Sequence, residues 1–108
     1  MAWIYLIMAG LFEIGWPVGL KLSQTPGRFL PGLAIAVACM GASGGFLWLA
    51  QKTIPIGTAY AVWTGIGAVG TFAVGILFHG DSTSALRLVS VGLIVTGIVG
   101  LKLAHGSG

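Results

Sequence analysis

Apolar residues fall into four long runs along the chain, at about 3–20, 29–50, 54–78 and 85–101, parted by short polar joints. A helix needs about 20 apolar residues to cross the hydrocarbon core of a bilayer, with a range of roughly 17 to 25, and each run meets that length. The joints, Lys21 to Arg28, Gln51 to Thr53 and His79 to Ser84, are too short for anything but hairpins between neighbouring helices. The pattern predicts an all-α membrane protein, one transmembrane domain over residues 1–108 with four transmembrane helices and no soluble domain on either side. No Lys or Arg precedes the first run, and Glu13 interrupts it, so it reads as a retained helix rather than a cleaved secretory signal.

Composition strengthens this reading. Hydrophobic residues make up 56% of the chain and charged residues 6%, whereas a soluble domain carries roughly a quarter charged residues. The apolar excess must face lipid. It also excludes disorder, and Cys39, alone in an apolar run, excludes a disulfide scaffold. The net charge of +3 comes from scattered basic residues that form no patch able to neutralise several phosphates, so no nucleic acid is expected as a partner.

Orientation in a membrane follows the Lys and Arg of the joints. Lys52 and Lys102 share the side of the N-terminus, while Lys21, Arg28 and Arg87 lie opposite. That near-balance barely specifies a topology. A chain inserting both ways can pair with an inverted copy of itself, supplying the inverted-repeat symmetry that larger transporters encode within one chain. Four helices also enclose little interior, so an antiparallel homodimer is expected.

The chemistry centres on Glu13, well inside the first span. Burying a carboxylate there costs several kcal/mol, and such residues usually face a cavity and mark an ion or proton path. The bland alternative is a protonated packing carboxyl. A carboxyl in this setting can exchange a proton for a cation. Helical spacing puts Gly10 and Trp16 on the same face at i−3 and i+3, with Pro17 at i+4. Gly10 is expected to leave room beside the carboxylate, and the Trp16 indole either donates to it or merely packs. Pro17 has no N–H to offer the Glu13 carbonyl, so that oxygen is freed and a kink is expected there.

In the third run Tyr60, Trp63, Thr64 and Gly67 recur at i, i+3, i+4 and i+7, one stripe of a helix that is polar and aromatic where a lipid face would be aliphatic. Such a stripe facing Glu13 suits a planar or tetrahedral organic cation, through hydrogen bonds and cation–π attraction. Glycines 65, 67, 70 and 75 either let this helix bend or permit close packing. Ser43, the one polar residue near the middle of the second run, either bonds Glu13 or bonds the carbonyl of its own preceding turn. In the fourth run Gly92, Thr96 and Gly100 form a small-residue ridge, expected to pack a dimer. His79 and His105 lie at segment ends without partners, so no metal site is expected, and no phosphate loop is present. No cofactor is expected and no enzymatic activity. Uphill transport must then draw on an ion gradient.

Residues 10–16 (Gly-Leu-Phe-Glu-Ile-Gly-Trp), Leu20-Lys21, residues 55–67 (Pro-Ile-Gly-Thr-Ala-Tyr-Ala-Val-Trp-Thr-Gly-Ile-Gly) and the closing residues 97–102 (Gly-Ile-Val-Gly-Leu-Lys) resemble the small multidrug resistance family over essentially the whole chain. Trp16 three residues after the acid and the Trp-Thr-Gly-Ile-Gly run resemble its guanidinium exporter subtype. The resemblance implies an antiparallel homodimer in the bacterial inner membrane that exchanges protons for guanidinium-like cations by alternating access. It implies Glu13 as the shared proton and substrate carboxylate, Trp16, Ser43 and Trp63 as its hydrogen-bonding surround, and Tyr60 as the residue lining and switching the site. The chain departs from the family pattern at Pro17, where a small residue is usual, and at Gly44-Gly45, where bulkier ones are. Three rival readings stand beside this one: an exporter of bulkier lipophilic or quaternary ammonium cations, one half of a paired heterodimer, and a membrane-assembly or pore-forming protein without turnover.

Overall fold

Each apolar run becomes one helix because, with no water to satisfy them, the backbone amides of a membrane-spanning segment must pair within it. The computed structural model describes the backbone of residues 1–107 and side chains as far as Ala104, so the His105 side chain and Gly108 lie outside the described residues. The helices are α1 (Ala2–Ser23), α2 (Phe29–Ala50), α3 (Ile56–His79) and α4 (Ala85–Ser107). All four are long and apolar enough to cross a membrane.

The sequence reading differs from the structure mainly at helix ends. The third span starts at Ile56 rather than 54, because Pro55 stands before the helix in an extended conformation (ψ 143°) and Ile54 folds back with its N–H on the Ala50 carbonyl at 3.0 Å. Ile54 is thereby buried with Leu6, Ala50, Ala59 and Val62 in the small core of that end. α1 continues through Lys21 to Ser23 and runs through Pro17 without a break. At the far end of α3, Gly80 turns left-handed (φ 70°) and the Asp81 N–H donates to the Gly75 carbonyl at 3.0 Å.

α1 is the hub, packed on one flank by α2 and on the other by α3, while α4 leans mainly on α3 and touches α1 near its start through Lys102 and Trp3. The α1–α2 seam is backbone on backbone. A Cβ added at Gly19 would stand 2.7 Å from the Ala36 nitrogen and 2.8 Å from the Gly32 carbonyl oxygen. Backbone cannot swing away as a side chain can. Gly19→Ala should therefore push the helices apart, costing about 1–3 kcal/mol, and lower the thermal unfolding temperature in detergent. An unchanged transition would mean that the seam is looser than described.

The resulting slab measures 50 × 35 × 16 Å. Its least dimension is little more than the ~10–12 Å diameter of one helix. Within α4's span no residue is buried, and Leu86, Leu93 and Leu103 are among its exposed side chains. Basic residues sit at both ends against aromatic rings: Lys52 over Trp48 at 4.4 Å, Lys102 over Trp3 at 4.9 Å and Arg87 over Phe72 at 4.7 Å. Snorkelling cations beside aromatic rings are typical of the two membrane surfaces.

Candidate functional site

The slab brings α1, α2 and α3 together around Glu13. On α1 the i+3 spacing does what helical geometry requires, and the Trp16 Nε1–H donates to Glu13 Oε1 at 2.6 Å. The second carboxylate oxygen is differently placed. Ser43, 1% exposed, stands 3.5 Å from Glu13 Oε2, but its hydroxyl donates to the Ala9 carbonyl at 2.7 Å. A hydroxyl has one proton to give, so the shorter bond takes it and Oε2 remains an open acceptor.

Of the two alternatives for Ser43, the approach to Glu13 is present at 3.5 Å and the carbonyl of its own turn is not used, while a shorter bond that spacing does not show is added. Its partner is a carbonyl on another helix, the one that also receives the Glu13 N–H in the α-helical pattern. The Ser43 oxygen in turn accepts from the Trp63 Nε1–H at 2.8 Å. A chain of hydrogen bonds therefore runs from α3 through α2 into the turn of α1 that carries the acid.

Glu13 owes its seat to a glycine, though not the expected one. A Cβ at Gly10 would lie 2.6 Å from Ile66 Cγ2, so its bare face is filled by Ile66 and leaves no room beside the carboxylate. Gly67 supplies that room: a Cβ there would stand 2.5 Å from Glu13 Cγ. Three residues along a helix rotate the direction by about 60°, enough to aim Gly10 at α3 instead of at the acid. Gly67 lay in the stripe Tyr60–Trp63–Thr64–Gly67, so the signal for it was present in the spacing.

That stripe divides in the structure. Trp63 enters the bonded network, Gly67 seats the acid, and Tyr60 tilts against Trp63 with ring centroids 5.4 Å apart. The Tyr60 ring is 57% exposed and makes no hydrogen bond to Glu13. Thr64 is exposed and stands outside the network. The fourth-helix ridge lies away from all of this. Gly92 and Gly100 have nothing near the direction of an added Cβ, and the Thr96 hydroxyl bonds the Gly92 carbonyl at 2.8 Å. No group of three or more His, Cys, Asp or Glu able to hold a metal occurs among the described residues.

The site thus offers one half-buried carboxylate with a pinned oxygen and an open one, bonded to the Trp16 indole and linked through Ser43 to Trp63, on which Tyr60 rests. That arrangement can hold a proton, or a small cation that donates hydrogen bonds.

The chain is 55% identical to a protein of Yersinia pseudotuberculosis named "Guanidinium exporter", over 96% of this chain and 99% of that one. Proteins of the same name from Salmonella typhimurium and Citrobacter freundii are each 53% identical, over 96% of this chain and 98% of theirs. The sequence profile described as Small Multidrug Resistance protein matches residues 1–94. With its four spans and its single deep acid, the chain is a multi-pass membrane protein and belongs to the small multidrug resistance family.

Proposed function

We propose that the chain exports guanidinium, or small substituted relatives of it, in exchange for protons, with Glu13 as the group that binds each in turn. The observation that carries this is the division of labour at the carboxylate: Oε1 held by Trp16 at 2.6 Å while Oε2 keeps no short partner. A planar guanidinium presents paired N–H donors to a carboxylate, a geometry that a point charge does not match. The proton and the cation need the same oxygen, so they compete, and competition for one group is sufficient to couple their movements. The names of the relatives support the cation assignment.

The transporting unit is an antiparallel homodimer in the bacterial inner membrane. A slab about one helix thick cannot enclose a cation, and the near-balanced joint charges favour neither orientation. A second, inverted copy would close the open face over Glu13 and bring Tyr60 and Trp63 of both chains around the ion. The Gly92, Thr96 and Gly100 ridge is the contact that holds the copies together. Gly41, Gly44 and Gly45 leave the outer face of α2 bare, beside an apolar hollow of about 280 Å³ lined by Ala42, Phe46 and Trp48. Substituents on a guanidinium have room there, which favours substituted guanidines over the bare ion alone.

Proteoliposomes carrying a pH gradient test this reading. Guanidinium and a monosubstituted guanidine should accumulate against their gradients and a quaternary ammonium should not. Accumulation of the quaternary ammonium alone would replace guanidinium by bulkier cations, and unsaturable conductance would indicate a pore. Trp16→Phe removes one donor from Oε1 and keeps the carboxylate, so affinity for guanidinium should fall by no more than about tenfold, with coupled exchange retained. Loss of exchange in that variant would assign Trp16 a larger role than orienting the acid.

A further inference from the structure

The seam between α1 and α3 is tight up to Glu13 and opens directly above it. Ile66 fills the space at Gly10, Glu13 that at Gly67, and Ile14 that at Gly70. One turn later, Pro17 and Val18 on α1 stand apart from Thr71 and Val74 on α3, and a cleft of about 370 Å³ lies between them. It continues to the membrane surface at Lys21, His79 and Asp81. Pro17 is four residues beyond Glu13, and Thr71 is four beyond Gly67, so the inner end of the cleft is the helical layer next to the acid.

We propose that this cleft is a hydrated vestibule through which protons reach and leave Glu13, with the Thr71 hydroxyl as its relay. The proposal rests on the proton-coupled reading of Glu13. Three features of the cleft support it. The first is size: at roughly 30 Å³ each, on the order of ten waters fit. The second is Thr71 itself. Ser90 and Thr96 bond the carbonyls of their own preceding turns at 2.8 Å, but the half-buried Thr71 hydroxyl has no partner among the described residues. A hydroxyl left unpaired beside a cleft binds water.

The third feature is Pro17. Without an N–H it leaves the Glu13 carbonyl without its α-helical donor, so an acceptor for water stands at the inner end. The charged groups at the mouth come from every element there: Lys21 from α1, His79 from α3, Asp81 from the following joint, and Arg87 of α4 nearby over Phe72. Of these, the Asp81 carboxylate reaches furthest in, packing against Gly75, one turn short of Thr71. From Gly75 inward to Glu13 the only side-chain relay among the described lining residues is Thr71, which accepts one proton from a water and donates its own onward. The Glu13 carboxylate becomes a carboxylic acid, and the same steps reverse when a cation displaces that proton.

The test uses the full chain in liposomes. Thr71→Cys in a Cys39→Ser background is exposed on both faces to a charged methanethiosulfonate reagent, with Ala73→Cys, exposed on another face of α3 at similar depth, as control. Thr71→Cys should react much faster than the control. In a second arm, Thr71→Val should slow pH-driven guanidinium exchange several-fold at unchanged guanidinium affinity, and Thr71→Ser should restore the rate. Reaction no faster than at Ala73→Cys, or a wild-type rate in Thr71→Val, overturns the vestibule while leaving the role of Glu13 intact. A wild-type protein that exchanges no protons overturns both.

Discussion

Glu13→Gln is expected to abolish guanidinium accumulation driven by a pH gradient, reducing it to the level of protein-free liposomes. The substitution keeps size and hydrogen-bonding capacity, so Trp16 retains an acceptor and the helix seam is undisturbed. What disappears is the ability to carry a negative charge or to take up a proton. The only other acid in the chain, Asp81, lies beyond the end of α3 and cannot substitute. Low pH on the side where the cation loads should inhibit the wild-type protein, because the proton occupies the same carboxylate. A Glu13→Gln protein that still concentrates guanidinium from a proton gradient would remove Glu13 from the centre of the mechanism.

The second large effect is expected at the fourth helix. Gly92 and Gly100 sit on an apolar face with open space before them, and small residues four apart let two helices come close. Replacing both by Leu should hold two such helices apart. Overpacking at each position costs on the order of 1–3 kcal/mol, which is at least about tenfold in the monomer–dimer equilibrium. Crosslinking in detergent should fall and transport with it, since the flat monomer cannot surround its substrate. Undiminished dimer yield would place the contact elsewhere.

These predictions draw on parts of the molecule that were unequally legible in the sequence. Span lengths follow from hydropathy alone, and the Trp16–Glu13 bond follows from a spacing within one helix. Contacts between helices depend on how each helix is rotated and how deep it sits, which spacing does not encode. Hence spacing offers Ser43 either Glu13 or its own turn, whereas in the structure it approaches Glu13 at 3.5 Å and makes its shorter bond to the Ala9 carbonyl of α1. The i−3 spacing sets Gly10 beside the carboxylate, whereas the close approach of α3 fills its bare face with Ile66. Gly67, the residue that seats the acid, was visible only as the end of a stripe. The cleft above Pro17 was not visible at all, because it arises where two helices diverge.

The central claim is that one carboxylate trades a proton for a cation, and proton release on binding measures this most directly. Adding guanidinium to the purified protein in weakly buffered detergent at neutral pH should acidify the solution, saturating with guanidinium occupancy. The same addition to Glu13→Gln should release nothing. Guanidinium binding with no proton release from the wild-type protein, or with equal release from Glu13→Gln, would contradict the account.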